Sequence, residues 1–348
     1  MPATVEILDA RNPAGRARWI DIWTQWPGRE VQAHPAYLEL FADEADLIRA
    51  AVLGTRFPVL YPFLQRPIFD AYDLTSPYGY GGPYAWGADR DALAVEFWPG
   101  FDAWARDAGV ISEFIRFAVG TNDRLPYAGE IVRRQDNVIV PTSRDPKVLW
   151  SQFAHKVRKN VNKARASDVR IIVDPKGERL DDFSRIYLAT MSRRSASQAY
   201  HFGAEFFARL NATLEGQVVY FHALHGDEVI STELALVSAD RIYSFLGGTD
   251  ERYFDLRPND LLKLEMIAWA HANGKAQFVL GGGFAADDGI FQYKKAFAPD
   301  GVVQFFTGQR IFDREGYDRL VTARRDELSA PLASDFFPAY RASARLTS

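Results

Sequence analysis

The sequence predicts an α/β protein with mixed sheets, built as two tandem domains related by internal duplication. Three observations carry that expectation. The chain has 348 residues, more than a single core usually organises. The phrase "AWARDAG" at 103–109 returns as "AWAHANG" at 268–274. "AVLGTRFPVLYPFL" (51–64) has a counterpart in "ALHGDEVISTELAL" (223–236), each with two alternating apolar arms about a glycine, the pattern of strand, turn and strand. Helix C′ glycines alone are common and would explain Gly109 and Gly274. They do not explain why the order of hairpin, Gly-rich stretch, helix end and strand recurs, which points to a repeated unit of roughly 150 residues.

The elements follow in order. After the first hairpin comes the Gly-rich stretch "SPYGYGGPY" (76–84), then the helix closed by Gly109, then the strand formers "VISEFIRFAV" (110–119). The second copy opens at Asp145, a good N-cap, with Pro146 at the first helical position. Leu149, Phe153, Val157 and Val161 recur every fourth residue, so "KVLWSQFAHKVRKNVNKARAS" is expected to be one amphipathic helix. Strand "VRIIVD" and helices near 179–193 and 204–214 come next. Three successive strands, "QVVYFHALH", "EVISTELALV" and "RIYSFLGG", precede a helix from Asn259 or Asp260 to Gly274. Strand "QFVLGGG", a short helix around "GIFQYKKAF" and a last strand "VVQFFTGQRIF" complete the unit. Domains are thus expected at 1–144 and 145–312, with a tail at 313–348 whose "YDRLVTARRDEL" looks helical.

Composition narrows the chemistry. At 47% hydrophobic and 25% charged the chain is ordinary globular protein. A net charge of −4 means that a polyanion would need a local basic surface. With no cysteine there is no disulfide, thiolate nucleophile or Cys-ligated metal. The histidines do not gather, so no metal is expected. "MPATVEILDARNPAG" has no apolar signal region and no stretch is long enough to span a bilayer, so a cytoplasmic protein is expected.

The element order of the second unit resembles that of a GNAT acyltransferase, whose central strands splay and leave a cleft for the acyl donor. Three stretches sharpen the resemblance to the FemAB (Fem-like) branch of that superfamily, with two GNAT-like domains in tandem: "SPYGYGGPY", the basic helix "KVRKNVNKARASDVRI", and "YSFLGGTDERYFDLRPNDLLKLEMIAWAHANGKAQFVLGGG" running into "GIFQYKKAFAP". The resemblance implies an aminoacyltransferase that moves an amino acid from aminoacyl-tRNA to an amine of a peptide or peptidoglycan-precursor-type acceptor, with no cofactor, no metal and no covalent enzyme intermediate. It also implies that the tail packs back on the first domain. The coiled-coil insertion of some family members has no counterpart here, and the Lys and Trp that help hold the precursor near the first hairpin in some of them are not evident, His34 and Tyr37 standing in that neighbourhood.

Site residues follow from the same resemblance. Lys294 in "FQYKKAF" matches the family's functional lysine, an ammonium suited to a tetrahedral oxyanion or the tRNA 3′ end; the alternative is a solvated lysine. Tyr243 falls at a family aromatic contact and either bonds the acceptor or sits half-buried in the core. Arg193, Arg194 and Tyr200 stand where the family supplies contacts to acceptor phosphates, one of the two arginines being expected to serve. Tyr78 and Tyr80 would border the acceptor mouth, or merely a Gly-rich turn. Lys156, Arg158, Lys159, Lys163 and Arg165 form either a solvated face or the seat of a tRNA backbone.

The CoA-binding GNAT loop, Arg/Gln-x-x-Gly-x-Gly/Ala at a helix N-terminus, is absent from "DERYFDLRPNDLL", where Pro258 removes a backbone donor. No convincing general base stands out; Asp102, Asp287 and Asp288 are loose candidates. Two alternatives keep the fold: an N-acyltransferase using acyl-CoA or acyl carrier protein, and a non-catalytic binding module.

Overall fold

Two sheets organise the chain, and both are strung by one rule. The computed structural model describes residues 4–53, 59–87, 89–194, 197, 200–283, 285, 287–328, 332 and 336–343. In chain order the first part contains β1 (Val5–Asp9), α1 (Pro13–Gln25), α2 (Pro35–Glu39), β2 (Leu47–Leu53), β3 (Val59–Ile68), β4 (Ala71–Thr75), β5 (Tyr84–Ala85), α3 (Arg90–Asp107), β6 (Val110–Arg116) and β7 (Glu130–Arg133). Then come β8 (Asn137–Val140), α4 (Pro146–Gln152), α5 (His155–Ala166), β9 (Val169–Asp174), α6 (Leu180–Arg193), α7 (Ala204–Thr213), β10 (Val218–His225), β11 (Glu228–Val237), β12 (Arg241–Thr249), α8 (Pro258–Ala272), β13 (Gln277–Gly281), α9 (Gly289–Lys295) and β14 (Val302–Val303). The chain ends with β15 (Phe306–Ile311) and α10 (Arg314–Leu328).

The first sheet runs β1-β2-β3-β4-β6-β15-β7 and the second β14-β8-β13-β12-β11-β10-β9. From β1 to β4 and from β9 to β12 every neighbour is antiparallel; β4 with β6 and β12 with β13 are parallel. A parallel step needs a crossover, and α3 and α8 supply it. Each crossover helix must then stop and turn back into its strand. Gly109 and Gly274 do this at φ +67° and +68°, with open space around both, so the left-handed backbone alone demands glycine. The repeated phrase therefore marks the same joint in two copies of one topology.

By contacts the chain divides into two units, one of the described residues up to Pro27 with Gln32–Arg134 and those from Phe305 onward, the other of Gly28–Val31 with Gln135–Gln304. In the first, Tyr61 and Phe63 of β3 pack against Phe97 and Phe101 of α3, and Leu60 clusters with Trp19 of α1 and Trp26. In the second, Val157, Val161, Phe221, Leu262 and Phe278 form the core beneath α5 and α8. Its other face carries Phe183, Tyr187 and Phe207 of α6 and α7 against Tyr220.

Three expectations are corrected. The single helix from Pro146 is two, because Phe153 and Ala154 turn extended (ψ 143° and 145°) and the Ala154 amide bonds Ala296 O at 2.9 Å instead of continuing the helix. "VVQFFTGQRIF" is also two strands, β14 on the second sheet and β15 on the first. The helix placed at Asn259 or Asp260 begins at Pro258, behind Arg257 in the left-handed region (φ 59°). The turn of the first hairpin, with Gly54, lies outside the described residues.

Candidate active site

The second sheet opens where its parallel pair ends. β12 and β13 are paired only from Arg241↔Gln277 to Tyr243↔Val279, while β12 runs on to Thr249 bonded to β11. Beyond Tyr243 the two strands part and leave a cleft. In the first sheet the corresponding place is stitched shut by the Gly-rich stretch: Ser76 N donates to Phe114 O (3.1 Å), Gly81 N to Arg116 O (2.6 Å) and Ala118 N to Gly81 O (2.8 Å). A Cβ on Gly81 would meet Ser76 Cβ at 2.7 Å, so this closure needs glycine.

Lys294 borders the cleft of the second sheet from α9. Asp288 caps that helix by accepting from Phe291 N at 2.8 Å, which fixes where its last turn points. The half-buried Lys294 ammonium donates to Gly282 O at 2.7 Å. Burial, and then the neighbouring Lys263 ammonium, bring its pKa down to about 8.

Beside it lies a trio that sequence reading did not find, two of its members buried and the third, Ser244, half-buried. Lys263 of α8, 4% exposed, donates to Glu233 Oε1 of β11, 5% exposed, and to Ser244 Oγ at 2.9 Å. Ser244 Oγ donates in turn to Glu233 Oε1 at 2.6 Å. Burial presses the Lys263 pKa down while Glu233 presses it up, with burial the larger effect. Asn259 Nδ2 donates to Tyr293 OH at 2.9 Å, tying the first turn of α8 to α9. The signal in the sequence was an acid inside the apolar arm "STELALV"; the partner thirty positions on is invisible to local periodicity.

The N-terminus of α8 is not arranged for a pyrophosphate. Pro258 offers no N–H, and the buried Asp260 carboxyl in the first turn accepts from Asn160 Nδ2 at 3.1 Å. Burial raises the Asp260 pKa. A phosphate there would meet that carboxyl group, not a glycine loop.

The other expected residues are scattered. The Tyr243 hydroxyl is buried and donates to Glu30 Oε2 at 2.8 Å, so it is spent inside the core and does not face the cleft. Exposed Arg193 and Arg194 end α6, a helix packed on the sheet face opposite α8. Arg193 lies 4.9 Å over the Phe254 ring and reaches Thr249 O at 3.4 Å. Tyr200, 37% exposed, accepts at its carbonyl from Tyr187 OH. Tyr78 and Tyr80 belong to the first unit, where Tyr78 stacks on Phe41 and Tyr80 meets Phe305 edge-on. On α5, Lys156, Lys159, Lys163 and Arg165 are exposed and Arg158 is half-buried. Arg158 folds back on Ser151 O and Phe153 O, and Arg165 pairs with Glu265 at 3.4 Å. The three lysines remain as an outward stripe. Among the described residues no group of His, Asp and Glu could hold a metal, and no helix is long and apolar enough to cross a membrane.

Residues 151–295 match the acetyltransferase (GNAT) domain family. FemX superposes at a TM-score of 0.67 with 12% identity, over 87% of this chain and 98% of its own. The fold is a FemAB-like tandem GNAT. The C-terminal domain of a putative lysylphosphatidylglycerol synthetase from Agrobacterium fabrum is also similar (TM-score 0.55, 10% identity, 88% of this chain and 95% of that one). So is L-PGS from Bacillus licheniformis (0.54, 10%, 89% and 94%). No curated protein matches the chain by sequence. With the GNAT domain match on the unit that holds the open cleft, the chain is an acyltransferase.

Proposed function

We propose that this acyltransferase moves an amino acid from aminoacyl-tRNA to an amine of a peptide or peptidoglycan-precursor-type acceptor. The observation that carries the reading is the N-terminus of α8, where Pro258 and the Asp260 carboxyl stand in place of a phosphate-binding loop. That disfavours CoA, and the lysine stripe of α5 offers a phosphate backbone another seat. FemX and L-PGS share this fold.

The chemistry is direct aminolysis of an ester. The acceptor amine adds to the carbonyl carbon, the tetrahedral oxyanion forms beside the Lys294 ammonium, and the C–O bond to the tRNA 3′ oxygen breaks. Lys294 serves as the fixed cation for the charge that develops. The GNAT domain match favours a second reading, an N-acyltransferase using acyl-CoA or acyl carrier protein.

A paired titration separates the two. Charged total tRNA is expected to bind with strong salt dependence, and acetyl-CoA to give no saturable signal. Neutralising Lys156, Lys159 and Lys163 together is expected to lower the slope of log K against log salt by about two to three. Saturable CoA binding with indifferent tRNA would hand the lead to the second reading.

A further inference from the structure

The chemistry above lacks an acceptor for the proton of the attacking amine. The acids first considered are engaged elsewhere: Asp102 binds Arg310, Asp287 binds Gln292, and Asp288 caps α9. We propose that Ser244 and Glu233 form a proton relay for aminolysis, with Lys263 as the residue that positions it; this deepens, and rests on, the aminoacyl-transfer reading.

Ser244 is the first residue of β12 past its pairing with β13, and it is half-buried, so its hydroxyl is the end of the trio that reaches the cleft. Glu233 and Lys263 lie behind it, closed to water. The hydroxyl donates to Glu233 Oε1 and accepts from Lys263 Nζ, which leaves one lone pair for an amine N–H. As the C–N bond forms, the amine proton passes to Ser244 Oγ while the serine proton passes to Glu233. As the C–O bond breaks, the same path runs backward and delivers a proton to the 3′ oxygen. The amine loses one hydrogen, the tRNA regains its hydroxyl, and the enzyme returns unchanged. Lys263 fixes both the carboxylate and the serine lone pairs, and its charge compensates a carboxylate that would otherwise be buried alone.

The test is single-turnover transfer by the full chain from charged total tRNA to a panel of small peptides bearing α- or ε-amines. Ser244→Ala and Glu233→Gln are each expected to lower kcat about 100-fold or more, the range of general base catalysis, with KM for tRNA unchanged. The residual rate is expected to climb with pH as the amine sheds its own proton, up to about pH 8 where Lys294 loses its charge, and Ser244→Thr to restore part of the loss. Because Glu233→Gln leaves Lys263 buried without its anion, the pair Glu233→Gln with Lys263→Met is made as well; it should melt near wild type and remain slow. Wild-type transfer undiminished in Ser244→Ala, with the same pH profile, overturns the relay alone. Wild-type protein that transfers nothing from any charged tRNA overturns the reading beneath it, and the relay with it.

Discussion

An ammonium that titrates near pH 8 is charged at neutral pH and lost just above it, and that sets how Lys294 should behave. As the cation facing an oxyanion it works only when protonated. Activity should therefore fall as pH rises through about 8, a limb visible in kcat. Lys294→Arg, if it transfers at all, should lose this limb because a guanidinium stays charged. Lys294→Ala should lower kcat about 10²- to 10³-fold, the usual loss for one oxyanion donor, with an unchanged melting curve. A rate equal to wild type in Lys294→Ala would remove the lysine from the chemistry. Lys294 could be proposed from the sequence because a motif carried it. Glu233, Ser244 and Lys263 could not, since a polar trio joins two strands and a helix, and no single stretch of sequence displays that. Tyr243 misled for the converse reason: on a strand an inward and a cleft-facing tyrosine look alike until Glu30 is seen beneath it.

Elements were the most legible scale where local physics decides them. The strand alternation, the Asp145 cap with Pro146 and the two C′ glycines are all short-range signals, and they fall where the structure has β10 to β12, α4 and the ends of α3 and α8. The break between α4 and α5 was illegible because its cause is Ala296, far along the chain. Periodicity carried on through Phe153 and Val157 since both side chains still reach one core. At this scale the glycines make a clean prediction. Nothing lies within 4 Å of a Cβ placed on Gly109 or Gly274, so alanine there meets no clash, only the left-handed backbone. Gly109→Ala and Gly274→Ala should each cost about 1–2 kcal/mol in urea unfolding. A near-zero change at both would mean that the helix ends relax and that the turn does not dictate the residue.

At the scale of the whole chain, the points at which the chain passes from one unit to the other could not be read from local sequence. A strand boundary leaves a mark in local composition; the assignment of neighbouring strands to different sheets, as with β14 and β15, does not. The same holds for Gly28–Val31, a few residues that belong with the second unit although the chain reaches that unit again only at Gln135. Their contribution is specific. Glu30, fully buried, accepts from the Arg241 guanidinium and the Tyr243 hydroxyl, and Val31 N donates to Ser238 Oγ at 2.9 Å. Burial pushes the Glu30 pKa up and Arg241 opposes it, the balance expected of a carboxylate that depends on its cation. Removing one member of such a pair leaves the other charge buried without compensation, which typically costs 3–5 kcal/mol. Glu30→Ala in the full chain should therefore lower the stability of the second unit by about that amount, although residue 30 lies more than a hundred positions before its main body. A fragment of residues 135–304 lacks the whole segment and should be at least as unstable, melting below the full chain followed by the same probe. If that fragment instead melts with the intact protein, and Glu30→Ala is silent in urea, Glu30 is a passive lodger and the unit is complete without it.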